Sequence, residues 1–456
     1  MGDDTKRQAY ALFALVVLSA ALGGLSQTAV NAMLTDVVAD FGVNVELGQW
    51  LTTSYMLMLG IAVPAATWMT QRFSARQHVL IGLGFFLVGS ATCMFAPNFW
   101  VLLAGRVLQA VSTGVLMPFL TTIAMVSFPQ GRQATAMGIA GVAMGFAPNI
   151  GPTVGGAMVY AWGWRSFFAL LVIATVVLMV CSLLLIRRTH AQNVAARLDT
   201  LSLVLSTVGF GGVLLGLSNA SGFALQSPYV WLPLVVGALF CVLFVMRQRR
   251  IPQPLIDLGI FKSRRFNAGL MAQNLLHASF MGITLVIPLY IEGACGGTAL
   301  EAGMVLLPGT VAALVLNPLA GVLTDRIGPR RVCIVGGMCL TVGAFAMCTL
   351  DEASPLWLAM ALQGVRACGV STLMGPLIQW SLADLKGPLV SHGSSLSTAV
   401  RQAFASFGTA AMVLAITVGK DMVAAGASVA LPYQLAFGFS AAMALLTFVC
   451  IVWKVR

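Results

Sequence analysis

Gly321-Val-Leu-Thr-Asp-Arg-Ile-Gly-Pro-Arg-Arg331 separates two apolar runs, each long enough to cross a bilayer. Four ionisable residues fall in its last seven positions, in a chain with only 9 % charged residues. A link this short leaves its two helices antiparallel and adjacent. Gly321 lets those helices approach closely, and Arg326, Arg330 and Arg331 are expected to hold the link on the cytoplasmic side. Asp325 can pair with these cations or cap a helix end.

The stretch has an echo 254 residues earlier, in Thr67-Trp-Met-Thr-Gln-Arg-Phe-Ser-Ala-Arg76. At that offset Pro64 matches Pro318, Met69 matches Leu323, Arg72 matches Arg326 and Arg76 matches Arg330. Further on, Leu108-Gln-Ala-Val111 matches Leu362-Gln-Gly-Val365, and Arg132 matches Lys386. One offset held over about 70 residues points to two parallel, repeated halves, the plan of a two-lobed secondary transporter. The first copy is eroded. Gln71 stands for the acid, and Thr67 and Ser74 for the glycines, so a weaker latch is expected there.

Composition agrees with a membrane protein. Of 456 residues 59 % are hydrophobic, and the mean hydropathy is +0.93. A soluble domain could not hide that apolar surface. The net charge of +11 suggests nucleic acid only until its distribution is read. Twenty of the 25 Lys and Arg fall in alternate loops and the termini, among them Arg187, Arg188, Arg197, Arg247, Arg249, Arg250 and Lys454. The other loops carry Asp40, Glu46, Asp351, Glu352 and Asp421. This is the positive-inside pattern with both termini cytoplasmic. The nine cysteines form no CxxC pair, so neither a disulfide framework nor a metal site is indicated. No cofactor is expected, and no cleavable signal is visible.

Fourteen apolar runs read as spans: 10–33, 49–70, 78–96, 100–123, 135–159, 166–186, 201–218, 230–247, 266–291, 302–324, 333–350, 356–380, 394–418 and 432–453. The repeat pairs the first six with the last six. The expected fold is all-α: a six-helix lobe over 1–190, an inserted two-helix hairpin with basic linkers over 191–265, and a second six-helix lobe over 266–456.

The quoted loop resembles the signature of the major facilitator superfamily, and a two-helix insert resembles its fourteen-helix drug–proton antiporter branch. Ala147-Pro-Asn-Ile-Gly-Pro-Thr-Val-Gly-Gly156 resembles that branch's span 5 signature. Arg106-Val-Leu-Gln-Ala-Val-Ser-Thr-Gly114, Trp50-Leu-Thr-Thr-Ser-Tyr55 and Trp162-Gly-Trp-Arg-Ser-Phe-Phe168 resemble further family stretches. The resemblance implies proton-driven export of amphipathic, drug-like compounds by alternating access, in a bacterial plasma membrane and as a monomer. Its partners would be a small-molecule substrate, protons and the lipid bilayer, with no nucleic acid.

The candidate residues follow. Gly151, Pro152, Gly155 and Gly156 would bend span 5 and present a flat face; the resemblance makes this a hinge where the lobes meet, and a plain packing face is the other reading. Asp325, Arg326, Arg330 and Arg72 would form the conformational latch. Arg106, deep in span 4, is a coupling residue by resemblance, or a structural arginine held by backbone carbonyls. His277, read as the one histidine within a span, could carry a proton or be a neutral hydrogen-bonded core group. Asp36 and Glu292, at outer span ends, are further proton-coupling candidates. The family's span 1 acid is missing: Leu25-Ser-Gln-Thr-Ala-Val-Asn-Ala-Met-Leu34 has Ser26 in its place. That favours neutral, monocationic or anionic substrates over dications. Ser26, Gln27, Asn31, Tyr55, Met117, Phe146, Asn149, Gln273, Asn274, Phe280, Tyr290 and Phe404 are the candidate cavity residues. A metabolite or lipid exporter and an uncoupled facilitator are the near alternatives. A membrane enzyme or receptor would need a nucleophile–base set, a metal cluster or a cofactor loop, and no such set is present in the sequence.

Overall fold

The computed structural model describes residues 3–186, 198–220, 222–223, 226–424 and 428–455. Of the basic residues noted above, Arg187, Arg188 and Arg197 lie outside these. Among the described residues the chain is all-helical. The first lobe holds α1 (Asp3–Phe41), α2 (Val45–Arg72), α3 (Ala75–Met94), α4 (Phe99–Ser127), α5 (133–162) and α6 (Trp164–Leu185). The insert is α7 (Thr200–Asn219) and α8 (Pro228–Gln248). The second lobe holds α9 (Arg264–Gly293), α10 (Ala299–Ile327), α11 (Pro329–Met347), α12 (Leu356–Leu382), α13 (Leu389–Ala424) and α14 (Leu431–Lys454).

Thirteen of these are long and apolar enough to cross a membrane. The remaining crossing, α5, departs from the uninterrupted span expected at 135–159. It is helical throughout, but a π-helical turn at Val142–Phe146 splits it into Gln133–Gly141 and Ala147–Trp162, neither long enough alone. The extra residue per turn lets α5 change the helix it faces part-way along.

Local chemistry sets the helix ends. Asn44 and Asn98 cap α2 and α4 by accepting from Leu47 and Val101 N–H. Thr298 and Glu301 form a capping box at the start of α10. The quoted loop closes through a single residue: Gly328, at φ +89°, joins Ile327 of α10 to Pro329 of α11, a conformation that L side chains rarely adopt. Its repeat mate Ser74 has φ −65° and instead caps α3, with a reciprocal bond from Gln77. The eroded glycine was thus exchanged for a cap.

Large apolar side chains stay exposed around the circumference, among them Leu184, Val335, Val342 and Trp453. In a bilayer this belt faces lipid. The insert packs beside α2 and α13, with α7 touching both and α8 held mainly by α7. Arg247 of α8 grips Asp199, the cap of α7, with two parallel bonds of 2.9 and 2.8 Å.

The lobes meet through one half of the bundle, at the end carrying the basic loops. The first part of α5 and its π turn pack on α10 and α12, and α13 packs on α2 and α4. Residues 147–162 of α5 and all of α1 make their main contacts inside the first lobe.

Candidate substrate cavity and gate

The lobe seam at the basic end is built from the quoted stretch. The Asp325 carboxylate accepts the N–H groups of Ala134 (3.1 Å) and Thr135 (2.7 Å), and the Thr135 hydroxyl (2.6 Å). It therefore caps α5 of the opposite lobe, where a negative charge also meets the positive end of the helix dipole. Arg326 and Arg330, the other expected partners of Asp325, have exposed side chains. Gly321 and Gly138 make the approach possible: a Cβ on either would lie 2.4 Å from a backbone oxygen of the opposite lobe, at Ala134 and Asn317.

The eroded first-lobe copy does the equivalent job with neutral groups. Gln71, the repeat mate of Asp325, bonds His392 at the start of α13 (3.0 Å). Thr67 donates to Ser395 (2.7 Å), and Ser394 bonds Thr121 and the Pro118 carbonyl. The His392 Nδ1 accepts the Asp257 N–H from the loop that follows the insert (3.1 Å). Arg72 is part-buried at the end of α2.

The glycine motif of α5 faces differently from the hinge reading. A Cβ on Gly151 or Gly155 would meet the α1 backbone at Leu25 and Ala29 oxygen, both at 2.8 Å, and Gly156 lies nearest Ala32. These residues, with Pro152 between them, pack α5 onto α1 within one lobe. The glycines that meet the second lobe are Gly138 and Gly141, before the π turn, and Gly145 within it. Their spacing along α5, three and four apart, was the legible signal.

Arg106 is fully buried in α4 with no carboxylate partner among the described residues. Its Nη1 donates to the Ser26 carbonyl (3.0 Å), the Ser26 hydroxyl (2.8 Å) and Gln109 Oε1 (2.9 Å), and its Nε donates to the Leu51 carbonyl (3.4 Å). The guanidinium lies 4.2 Å over the Tyr55 ring, and the Tyr55 hydroxyl donates to Gly23 O. Ser26, in the place of the family acid, is thus a neutral partner in a knot tying α1, α2 and α4.

Two of the candidate cavity residues, Asn149 and Phe280, line a narrow cleft between the lobes, of about 60 Å³. The sequence reading missed the others that matter there: Asn317 of α10, Gln363 and Ser371 of α12, and Thr310. Gln363 was legible, since it matches Gln109 across the repeat. Asn317, polar in an apolar run before Pro318, was legible too. The rest of the expected set is elsewhere. Asn31 is exposed and accepts from Thr52. Gln27 and Met117 are buried in the first lobe. Phe146 ends the π turn. Gln273 donates to Ser381, Asn274 is buried in α9, and Tyr290 donates to the Asp351 carbonyl, all within the second lobe. Phe404 stacks edge-on with Phe407.

Of the proton-coupling candidates, Asp36 and Glu292 are exposed at helix ends. His277 is buried, with Nδ1 bonded to the Gln273 carbonyl (2.9 Å), which leaves Nε2 to take a proton. It is not the one histidine within a span: His78 is buried in α3, stacked on Phe119, and His392 is buried in α13. His78 opens the run drawn at 78–96 and so lay within a span on that reading too, whereas His392 lies two residues before the run drawn at 394–418, within a turn of a helix start that hydropathy places less accurately.

The profile of the Major Facilitator Superfamily matches residues 16–409. The chain belongs to the major facilitator superfamily. Among superfamily members it is 34 % identical over 398 residues to an uncharacterised MFS-type transporter, YhcA, of Bacillus subtilis (strain 168), covering 87 % of this chain and 74 % of that protein. It is 31 % identical over 417 residues to the lincomycin resistance protein LmrB of Listeria monocytogenes, covering 90 % and 87 %. It is 27 % identical over 435 residues to the multidrug resistance protein B homolog of Mycobacterium tuberculosis, covering 94 % and 80 %. In fold it is similar to the proton:xylose symporter XylE, with a TM-score of 0.68 at 12 % identity over 98 % of this chain and 96 % of that one. The human organic anion transporter MFSD10 superposes with a TM-score of 0.66 at 11 % identity, over 99 % and 100 %.

Proposed function

We propose that the protein exports amphipathic, drug-like compounds from a bacterial cell by alternating access, driven by inward proton flow. The observation that carries this reading is the placement of the lobe contacts. They gather at one end, around the Asp325 cap, and leave a cleft with polar and apolar walls above them. An arrangement sealed at one end and parted at the other is one extreme of a rocking cycle. With the basic loops cytoplasmic, by the positive-inside rule, it is the outward-facing extreme. Relatives named for lincomycin and multidrug resistance support the substrate class.

Proton coupling is the more demanding part of the proposal. We assign the carrier role to His277, whose free Nε2 lies in the second-lobe core, and give Arg106 a structural role. The second reading, an uncoupled facilitator or a metabolite exporter, draws on the absence of any carboxylate from the cleft lining. Proteoliposomes with a trapped pH dye separate the two. Substrate movement that acidifies the lumen in step with efflux supports antiport, and substrate movement at constant internal pH refutes it. His277→Ala is expected to abolish the coupled proton signal.

A further inference from the structure

We infer that the cleft selects uncharged compounds bearing hydroxyl or amide groups, and that Asn317 is the residue that reads them. The inference rests on the exporter reading above and names its substrate class. Asn317 is only 2 % exposed, yet its Oδ1 has no hydrogen-bond partner. Its Nδ2 donates to the Gly141 carbonyl across the lobe seam (3.3 Å). The side chain thus sits at the floor of the cleft, with one end on the gate and one acceptor unsatisfied. A buried acceptor without a donor is costly, and a ligand O–H or N–H at that point removes the cost.

The neighbouring helix α12 supplies the complementary group. Gln363 Oε1 accepts from Arg366 (3.3 Å), which commits the amide oxygen and leaves Nε2 as a donor. Arg366 is itself fully buried, with Nη2 on the Ser279 carbonyl (2.7 Å) and no carboxylate partner among the described residues. Its uncompensated charge stands directly behind Gln363 and disfavours a cation in the cleft. Thr310, Ser371 and Asn149 add neutral polar groups, and among the described residues no ionisable side chain lines the cleft. One acceptor at the floor, one donor on the wall and a positive charge behind it fit a neutral molecule that can both donate and accept.

The test compares efflux of chloramphenicol, a neutral probe with hydroxyls and an amide, with efflux of tetraphenylphosphonium, a cation with no donor. Wild type is expected to move the neutral probe about tenfold better, the worth of one well-placed hydrogen bond. Asn317→Ala should lose that preference. Asn317→Asp, which keeps the shape and adds a charge, should turn it toward the cation. Thermal shifts of each purified variant with each probe give a binding readout that does not depend on transport. Equal handling of the two probes by wild type overturns the inference, as does an Asn317→Asp protein that folds, transports and keeps the wild-type preference. A wild type that moves neither these probes nor a panel of dyes overturns the exporter reading together with it.

Discussion

Arg106 and Asp325 show how single side chains organise this molecule. Among the described residues Arg106 has no opposite charge to neutralise it, and carbonyls, a hydroxyl and an amide replace one. Truncation would strip several buried partners at once. Arg106→Ala should therefore lower stability by about 3 kcal/mol, read as an earlier melting transition in detergent. Arg106→Lys should not recover it, because one ammonium cannot reach Leu51 and Ser26 together. The sequence made it legible that Arg106 lies inside a span and that Ser26 stands where an acid was expected. That the two touch was not legible, since 80 positions separate them and no periodicity links the helices. Asp325 was readable as a cap, but its target, the first turn of α5, was not. Asp325→Ala is expected to cost about 1 kcal/mol and to raise labelling of a cysteine at Thr324, buried at the seam, by a maleimide applied from the basic end. Labelling equal to that of the parent would count against the gate.

The helices divide into those that carry the seam and those that hold one lobe together, and α5 does both. Hydropathy saw one apolar run over 135–159, since a π turn depends on packing rather than composition. The turn sends Gly138 toward α10 and Gly151 toward α1. Two substitutions at similarly crowded glycines should then behave differently. Gly321→Ala forces a Cβ against the other lobe and should open the basic end, raising the same labelling. Gly155→Ala crowds α1 instead; it should lower the melting temperature without changing accessibility. The inserted hairpin has its own lock in Asp199 and Arg247. The two bonds from Arg247 hold the Asp199 carboxyl down at about 2, below its ordinary value of about 3.9. A carboxylate depressed in the folded state stabilises above the ordinary value, and the benefit fades as pH falls from about 4 through 2. Between pH 7 and 5 the lock is fully present. Asp199→Asn should thus lower the melting temperature by the same small amount at both pH values, for a partly exposed pair worth under about 1 kcal/mol. A loss at pH 7 that vanishes at pH 5 would contradict this.

At the scale of the whole molecule, the repeat and the alternation of charged loops made most of the architecture legible. The spans, their pairing across the repeat and the extra hairpin follow from hydrophobic length and a constant offset, which are local quantities. The cleft was less so. Its lining is assembled from α5, α9, α10 and α12, and which faces of those helices meet depends on the state in which the lobes are caught. On the alternating-access proposal the lobes rock about this cleft, with the Asp325 end and the opposite end opening in turn. Paired spin labels test it most directly. In a background without native cysteines, one pair would sit at Arg132 and Arg326 at the basic end. A second would sit at Tyr160 and Leu300, exposed at the other ends of the same helices. Across conditions that shift the resting state, such as substrate or acidification, the first distance should lengthen whenever the second shortens. Two distances that stay fixed, or that change together, would contradict it.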